Sequence, residues 1–449
     1  MRPIDPLHAF VFRPFALPFS QKPFPVEETT NSDSLMDTSE EPPEAEDVLH
    51  FGREWPKILP HLEKDLNAMI AQQRATIEVQ KERWRPVIKQ EKLGQAKSFY
   101  DEFERVLATG TILPSKLGGG GVYILYNALD EPSFIIKPND EAILCLNNPK
   151  HRGSPFNDTS HRLRDQIPLY KTCETEVSVS ALSREVGIGH CTPDVRMMIL
   201  SSPLFYDLSS HLQGKEKELF NAQCGKPNGE KLCSVQRFIP DSLDLQQAMH
   251  EWFEAGLEEH FPLPIDQEEF EDVLLLLWLT YDADGHSSNF RVFFKRLDEQ
   301  HKAVYGIIKI DNGLSLPEEN RYLLNYLGYF QNAKLTPSKQ LLEKISSIDE
   351  QVLDAILEQN HLSYARTALK DRIDVLKILS QRSSITLEEI NHRFEFLSLP
   401  DGKNLALSPL SPQEITDSLQ ETIHPASTTK RKSSKERAQA QAHQLLIKV

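Results

Sequence analysis

Apolar residues gather into two short β-rich runs, Val122-Tyr-Ile-Leu-Tyr126 and Ser133-Phe-Ile-Ile-Lys137, separated by the turn formers of Asn127 to Pro132. That pattern predicts a hairpin. Ahead of it, from Trp55 to about Leu107, Leu62, Leu66, Met69 and Ile70 recur at three- and four-residue spacing among strong helix formers. The spacing predicts helix, ended by Gly110. Behind the hairpin, Glu176-Val-Ser-Val-Ser-Ala-Leu-Ser-Arg184 reads as a helix closed by Gly187 and Gly189. Leu232-Cys-Ser-Val-Gln-Arg-Phe-Ile239 reads as a strand ending at Pro240, and Phe270 to Leu279 as an apolar helix or buried segment. Two further strands are predicted at Phe290-Arg-Val-Phe-Phe294 and Val304-Tyr-Gly-Ile-Ile-Lys-Ile310. The first 48 residues show no such period. Phe and Pro recur there before an acidic tract, and the composition predicts disorder. After Pro400 the chain turns polar. No internal repeat is visible.

Composition narrows the picture without naming a chemistry. A chain of 449 residues has room for one large core or several domains. The formal net charge of −16 argues against wholesale binding to nucleic acid. The charge is uneven: residues 27 to 47 hold nine acids and no Lys or Arg, whereas Lys430-Arg431-Lys432-Ser-Ser-Lys435-Glu-Arg437 is basic. Five cysteines without a CxxC suggest neither a disulfide framework nor a zinc site, and His190-Cys191 reads as an ordinary neighbouring pair. Val273 to Leu279, the longest strongly apolar run, is far short of a membrane span. No secretory signal is evident at the N-terminus. These features predict a cytoplasmic protein with no transmembrane segment; no signal speaks to export into another cell.

The candidate chemistry lies in the order of a few polar groups. Gly118 to Gly121 precede the hairpin, and Lys137 ends it. Glycine lets backbone approach phosphate closely and adopts φ angles that other residues avoid. Taken alone, such a run is more often a surface turn. Glu176 is placed to orient Lys137 by an ion pair, or is merely an acid at a helix start, favoured by the macrodipole. Gln236 to Phe238 would present backbone to an adenine, or lie in a plain core strand. Asp284, five residues before Asn289, and Asp311, at the next strand end, supply two carboxylates and an amide oxygen in the order that phosphoryl transfer needs. Hard oxygen ligands suit Mg²⁺ or Mn²⁺. Asp284-Gly285 and Asp311-Asn-Gly313 are also ordinary turn signals. The ordered set is much more specific than its members.

The combined motifs resemble the phosphatidylinositol 3-/4-kinase superfamily, most closely its type II and plant-type 4-kinase branch. Leu117-Gly-Gly-Gly-Gly-Val-Tyr123, Phe134-Ile-Ile-Lys-Pro-Asn-Asp-Glu141 and Asn147-Asn-Pro149 resemble G-x-G-G-x-Y, F-K-P-x-D-E-E-P and N-N-P. Asp284-Gly-His-Ser-Ser-Asn289 resembles D-R-H-x-x-N, and Ile310-Asp-Asn-Gly-Leu-Ser-Leu-Pro317 resembles I-D-x-G-x-x-L-P. Ser234-Val-Gln-Arg-Phe-Ile239 looks like the hinge. The likeness covers roughly Ile112 to Leu335. It implies that Gly119, Gly120, Gly121 and Val122 lie over the phosphates of ATP and that Lys137 binds them with Glu176 as its partner. It further implies that the backbone of Gln236, Arg237, Phe238 and Ile239 borders adenine. Asp284 would position or deprotonate the acceptor with His286 beside it, and Asn289 and Asp311 would hold Mg²⁺ or Mn²⁺. Three departures stand out: Gly285 replaces the arginine, Glu141-Ala-Ile replaces E-E-P, and Val122 stands where a small or hydroxylic residue is usual.

The resulting expectation is an α+β, protein-kinase-like bilobal fold with a small β-rich lobe and a larger, mostly helical one. It assigns 1–48 to a disordered tail, 49–111 to a helical extension, 112–396 to the catalytic domain and 397–449 to a polar, basic tail. The expected activity is Mg-ATP-dependent phosphoryl transfer to a phosphoinositide or a protein hydroxyl. The basic C-terminal patch alone would give only weak contact with an anionic membrane. Because of Gly285, the competing expectation is an inactive pseudokinase acting as a nucleotide-binding scaffold.

Overall fold

The computed structural model describes residues 72–423, apart from 117, 144, 146, 150–161, 164–166, 207–228, 255–262, 321–322, 324 and 400. The predictions for the two tails and for 55–71 fall outside the described residues. Two compact units emerge: 1–80 with 208–228, described only over the helical residues 72–80, and 81–207 with 229–449. Apart from the start of the helix at 72–93, everything below concerns the second unit.

Its first layer is an antiparallel sheet built on the predicted hairpin. Strands β1 (Thr111–Pro114), β2 (Tyr123–Tyr126), β3 (Pro132–Pro138), β4 (Val195–Ser201) and β5 (Glu230–Arg237) lie in the order β1-β2-β3-β5-β4. Alternation along β3 buries Phe134 and Ile136 and turns Lys137 to the other face. Phe134 meets Phe99 and Phe103 edge-on at 5.5 and 5.2 Å. Both belong to a helix that begins after the turn at 94–96. The long helical run read from the sequence is therefore two helices, α1 (72–93) and α2 (Lys97–Thr109), separated at Gly94 to Ala96. Helix α3 (Thr172–Glu185) connects β3 to β4 and carries Glu176.

A second, three-stranded antiparallel sheet follows, with β6 (Leu243–Asp244), β7 (Phe290–Leu297) and β8 (Ala303–Lys309) in the order β8-β7-β6. Helix α4 (Leu245–Glu254) leads to α5 (Gln267–Thr280), whose run Phe270 to Leu279 is no more than 2 % exposed. Within it Val273 to Leu279 is apolar all round, which marks a central helix. Asp266 caps its start by accepting from Glu269 N–H, and Tyr281 ends it at φ +50°. That left-handed C-cap redirects the chain into 282–289.

Helices α6 (Lys339–Ser346), α7 (Glu350–Gln359), α8 (Arg366–Leu379) and α9 (Leu387–Glu395) contribute buried side chains to the core around α5. The ordered structure does not stop at 396, where the sequence put the start of a polar tail. Helices α10 (Gly402–Leu407) and α11 (Pro412–Ile423) follow, and Ala406 and Ile415 are part of the same core. Arg393 explains the attachment: its buried guanidinium donates to the carbonyls of Ala406, Ser408 and Leu410 at 3.1, 2.9 and 3.0 Å. Truncation after Leu399 strips those acceptors from a cation that is 1 % exposed. It should cost about 3 kcal/mol or more, measured as a shift in the urea midpoint. An unchanged midpoint would show that 401–415 is dispensable.

Candidate active site

Lys137 lies between two carboxylates from distant parts of the chain. Its ammonium donates to Glu176 Oε1 and, at 2.9 Å, to Asp311 Oδ1. Glu176 is itself fixed, because Ser234 Oγ on β5 donates to its other oxygen at 2.6 Å. The first turn of α3 is tied to both neighbouring strands as well: Cys173 Sγ donates to the Lys137 carbonyl and accepts from Ser234 N–H, at 3.2 and 3.3 Å. Burial pulls the Lys137 pKa down, but Asp311 and then Glu176 more than reverse this and hold it above the usual lysine range. The Lys137 ammonium in turn keeps the half-exposed Asp311 carboxyl below the usual carboxylate range. Lys137 and Asp311 are both charged at neutral pH.

Asp311 follows β8 at φ +56°, a strained angle for a residue with a side chain. Gly313, two residues on, lies against α3: a Cβ there would sit 3.4 Å from Thr172 and 3.8 Å from Glu176 Oε1. The second polar group is the loop between α5 and β7. Asn289 Nδ2 donates to Asp284 Oδ2 at 2.9 Å and to the Asp284 carbonyl at 2.8 Å. His286 Nε2 is 3.6 Å from the same carboxylate oxygen, beyond hydrogen-bond range. Ile310 N–H donates to the Asn289 carbonyl at 2.9 Å, so the two loops run side by side. Two carboxylates and an amide oxygen are thus carried on two adjoining loops, and one of the carboxylates, Asp311, touches the ammonium. These are hard oxygen donors, the chemistry that suits a divalent cation such as Mg²⁺.

Two groups of predicted residues are engaged differently. Gly121 N–H donates to the Glu141 carbonyl at 2.8 Å, and Asn148 Nδ2 donates to the Gly119 carbonyl at 3.0 Å. A Cβ on Gly121 would come within 2.1 Å of Glu141 Oε2. Glycine is required there by the neighbouring carboxylate, and that N–H already has a protein acceptor. Gly118, at φ +78°, is the position in the run that needs left-handed backbone. The supposed hinge is an interior strand: Gln236 is opposite both Ile135 and Val195, and Phe238 N–H donates to the Ser133 carbonyl at 2.9 Å. Backbone free of the ladder begins beyond Phe238, at Ile239.

Glu141, read only as a departure from the family pattern, is a hub. Its fully buried carboxylate accepts from Tyr123 OH (2.7 Å), Lys231 Nζ (2.9 Å) and Tyr206 N–H (3.0 Å). Lys231 also pairs with Asp140 at 2.9 Å, so two carboxylates share one cation. His190, Cys191 and Asp272 cluster closely enough to suggest a metal site. However, Lys344 already bonds both Asp272 oxygens, at 2.7 and 2.6 Å, which makes the group an ion pair.

No family model matches the chain, and no curated protein matches it. Among solved structures, one titled "Crystal structure of the golgi casein kinase" is similar at 15 % identity with a TM-score of 0.34. The match covers 62 % of this chain and 75 % of that one. Likeness at that distance assigns no role to any residue. Among the described residues, no helix is long and apolar enough to cross a membrane.

Burial pushes the Glu141 pKa up to about 7, with the Asp140 carboxylate adding to the rise and Lys231 opposing it. The folded chain therefore holds this proton more tightly than the unfolded chain, where glutamate titrates near 4.5. The stabilisation is complete below about pH 4.5 and is lost as pH rises through about 7. Glu141→Gln leaves Lys231 its Asp140 partner and should gain on the wild type by up to about 3 kcal/mol between pH 5 and 8. Urea midpoints across that range test this; a constant difference would refute it.

Proposed function

We propose that the protein is a phosphotransferase of protein-kinase-like fold that uses a divalent metal and ATP to phosphorylate a hydroxyl group. The observation that carries this reading is the three-way contact of Lys137 with Glu176 and Asp311. In a kinase, a strand lysine oriented by a helix glutamate meets the α- and β-phosphates, and a carboxylate after a later strand holds the metal. The strand order β1-β2-β3-β5-β4, with α3 between β3 and β4, supports the same reading. So does the chain order of hairpin, glutamate helix, interior strand, Asp284…Asn289 loop and Asp311 loop.

In this reading the Lys137 ammonium neutralises phosphate charge, held by Glu176. Asp311 and Asn289 carry Mg²⁺ or Mn²⁺, which when bound offsets the charge that develops on the transferred group. Asp284 accepts or positions the acceptor hydroxyl proton, and His286 lies beside it. Ile239 and the backbone after it, free of the sheet, are the candidates for adenine recognition. Motif resemblance favours a phosphoinositide acceptor over a protein. Gly285, which offers no side chain where the related motif has arginine, favours a second reading: a nucleotide-binding scaffold without transfer.

Transfer of γ-phosphate with Mg²⁺ to phosphatidylinositol liposomes and to a mixed protein extract, wild type against Asp311→Ala, tests both. We expect transfer to one acceptor that falls to background in the variant. Saturating Mg-ATP at about 100 times its Kd should stabilise the wild type by roughly 2.7 kcal/mol. Stabilisation without transfer would support the scaffold. Neither transfer nor stabilisation would overturn the nucleotide-binding reading altogether.

A further inference from the structure

We propose that Asp282 and Lys309 are positioning residues: a buried carboxylate–ammonium brace that fixes the loop bearing Asp284 and Asn289 against the loop bearing Asp311. The role in chemistry rests on the phosphotransferase reading above.

Both side chains are fully buried, with Lys309 Nζ 3.3 Å from Asp282 Oδ2. Asp282 reaches in two directions. Its Oδ1 accepts from Asp284 N–H at 2.5 Å, and its Oδ2 accepts from Ser315 Oγ at 2.6 Å. Lys309 donates to the carbonyls of Ile310 and Asp311 at 2.7 and 3.3 Å. One carboxylate and one ammonium therefore touch the backbone of both candidate acidic residues.

Stability alone is a poor reason for such a pair. Each buried ion loses several kcal/mol of hydration, and apolar residues of similar volume usually serve a core as well or better. Geometry is a better reason. Tyr281, Asp311 and Leu316 adopt φ of +50°, +56° and +56°, which ordinary residues hold only when their surroundings over-determine them. Three backbone bonds align the loops: Ala283 N–H to the Leu314 carbonyl, Leu316 N–H to Thr280, and Ile310 N–H to Asn289. The brace adds a charged anchor at the two residues whose carboxylates must converge. Lys309 places a buried cation beneath these loops.

The test is the double variant Asp282→Asn/Lys309→Met, which removes both charges and leaves neither ion unpaired. We expect hydrogen exchange to accelerate at least roughly tenfold in 282–289 and in 311–316 together, while α8 is unaffected. In transfer assays kcat should fall roughly 10²-fold, with KM for ATP within about threefold and the Mn²⁺ needed for half-maximal rate raised. Ser315→Ala, a smaller change that avoids any folding defect in the double variant, should shift the same quantities in the same direction by several-fold. Acceleration confined to one loop, or wild-type kcat and Mn²⁺ dependence in both variants, would overturn the brace. Failure of the phosphotransferase reading looks different: the wild type itself would show neither transfer nor stabilisation by Mg-ATP, while the exchange pattern would still decide whether the two loops are coupled.

Discussion

One ammonium organises the candidate site. Lys137 reaches Glu176 and Asp311 at once, and those residues lie 39 and 174 positions further along the chain. Through them, β3, helix α3 and the loop after β8 share one small volume. Each participant is held from behind: Glu176 by Ser234, the start of α3 by Cys173, and the Asp311 loop by the buried pair beneath it.

The glycine loop is held on different terms. It leans on the turn after β3, where Glu141 accepts from it, Asn148 donates to it, and Glu141 fills the space that a side chain would need. Glu141 is fixed there by Tyr123 and Lys231 from the sheet. The loop and the lysine thus share β3 and the turn that follows it.

The sequence displayed the parts of this arrangement that local pattern can carry. A glycine run before alternating strands, a lysine at a strand end and an Asp-x-Gly after another strand are all local signals, and they fall where the structure builds its hairpin and loops. Partnership is what local pattern hides. Lys309 looks like any polar residue in a half-buried strand, and Asp282 is one more acid in Tyr-Asp-Ala-Asp-Gly; only their mutual burial gives them meaning. Gly121 was legible as a glycine that something must approach, but the approaching group is Glu141. The continuation past 396 was obscured because Leu405, Leu407, Leu410 and Ile415 are broken by Pro409 and Pro412, and no helical period survives. Arg393, which anchors that segment, reads in isolation as a solvated charge.

The separation of Lys137 from its two acids also orders events during synthesis. At about 5–20 residues per second, the 174 positions to Asp311 take roughly 9–35 s to translate. Glu176 emerges within a few seconds and Ser234, which fixes it from the neighbouring strand, within roughly 5–19 s, so the sheet and α3 can form their ion pair before the loop that completes the trio exists. For that interval Lys137 belongs to the glutamate alone. A ribosome stalled between these points would display a sheet already equipped with its paired cation, and with nothing yet for the cation's free side to hold.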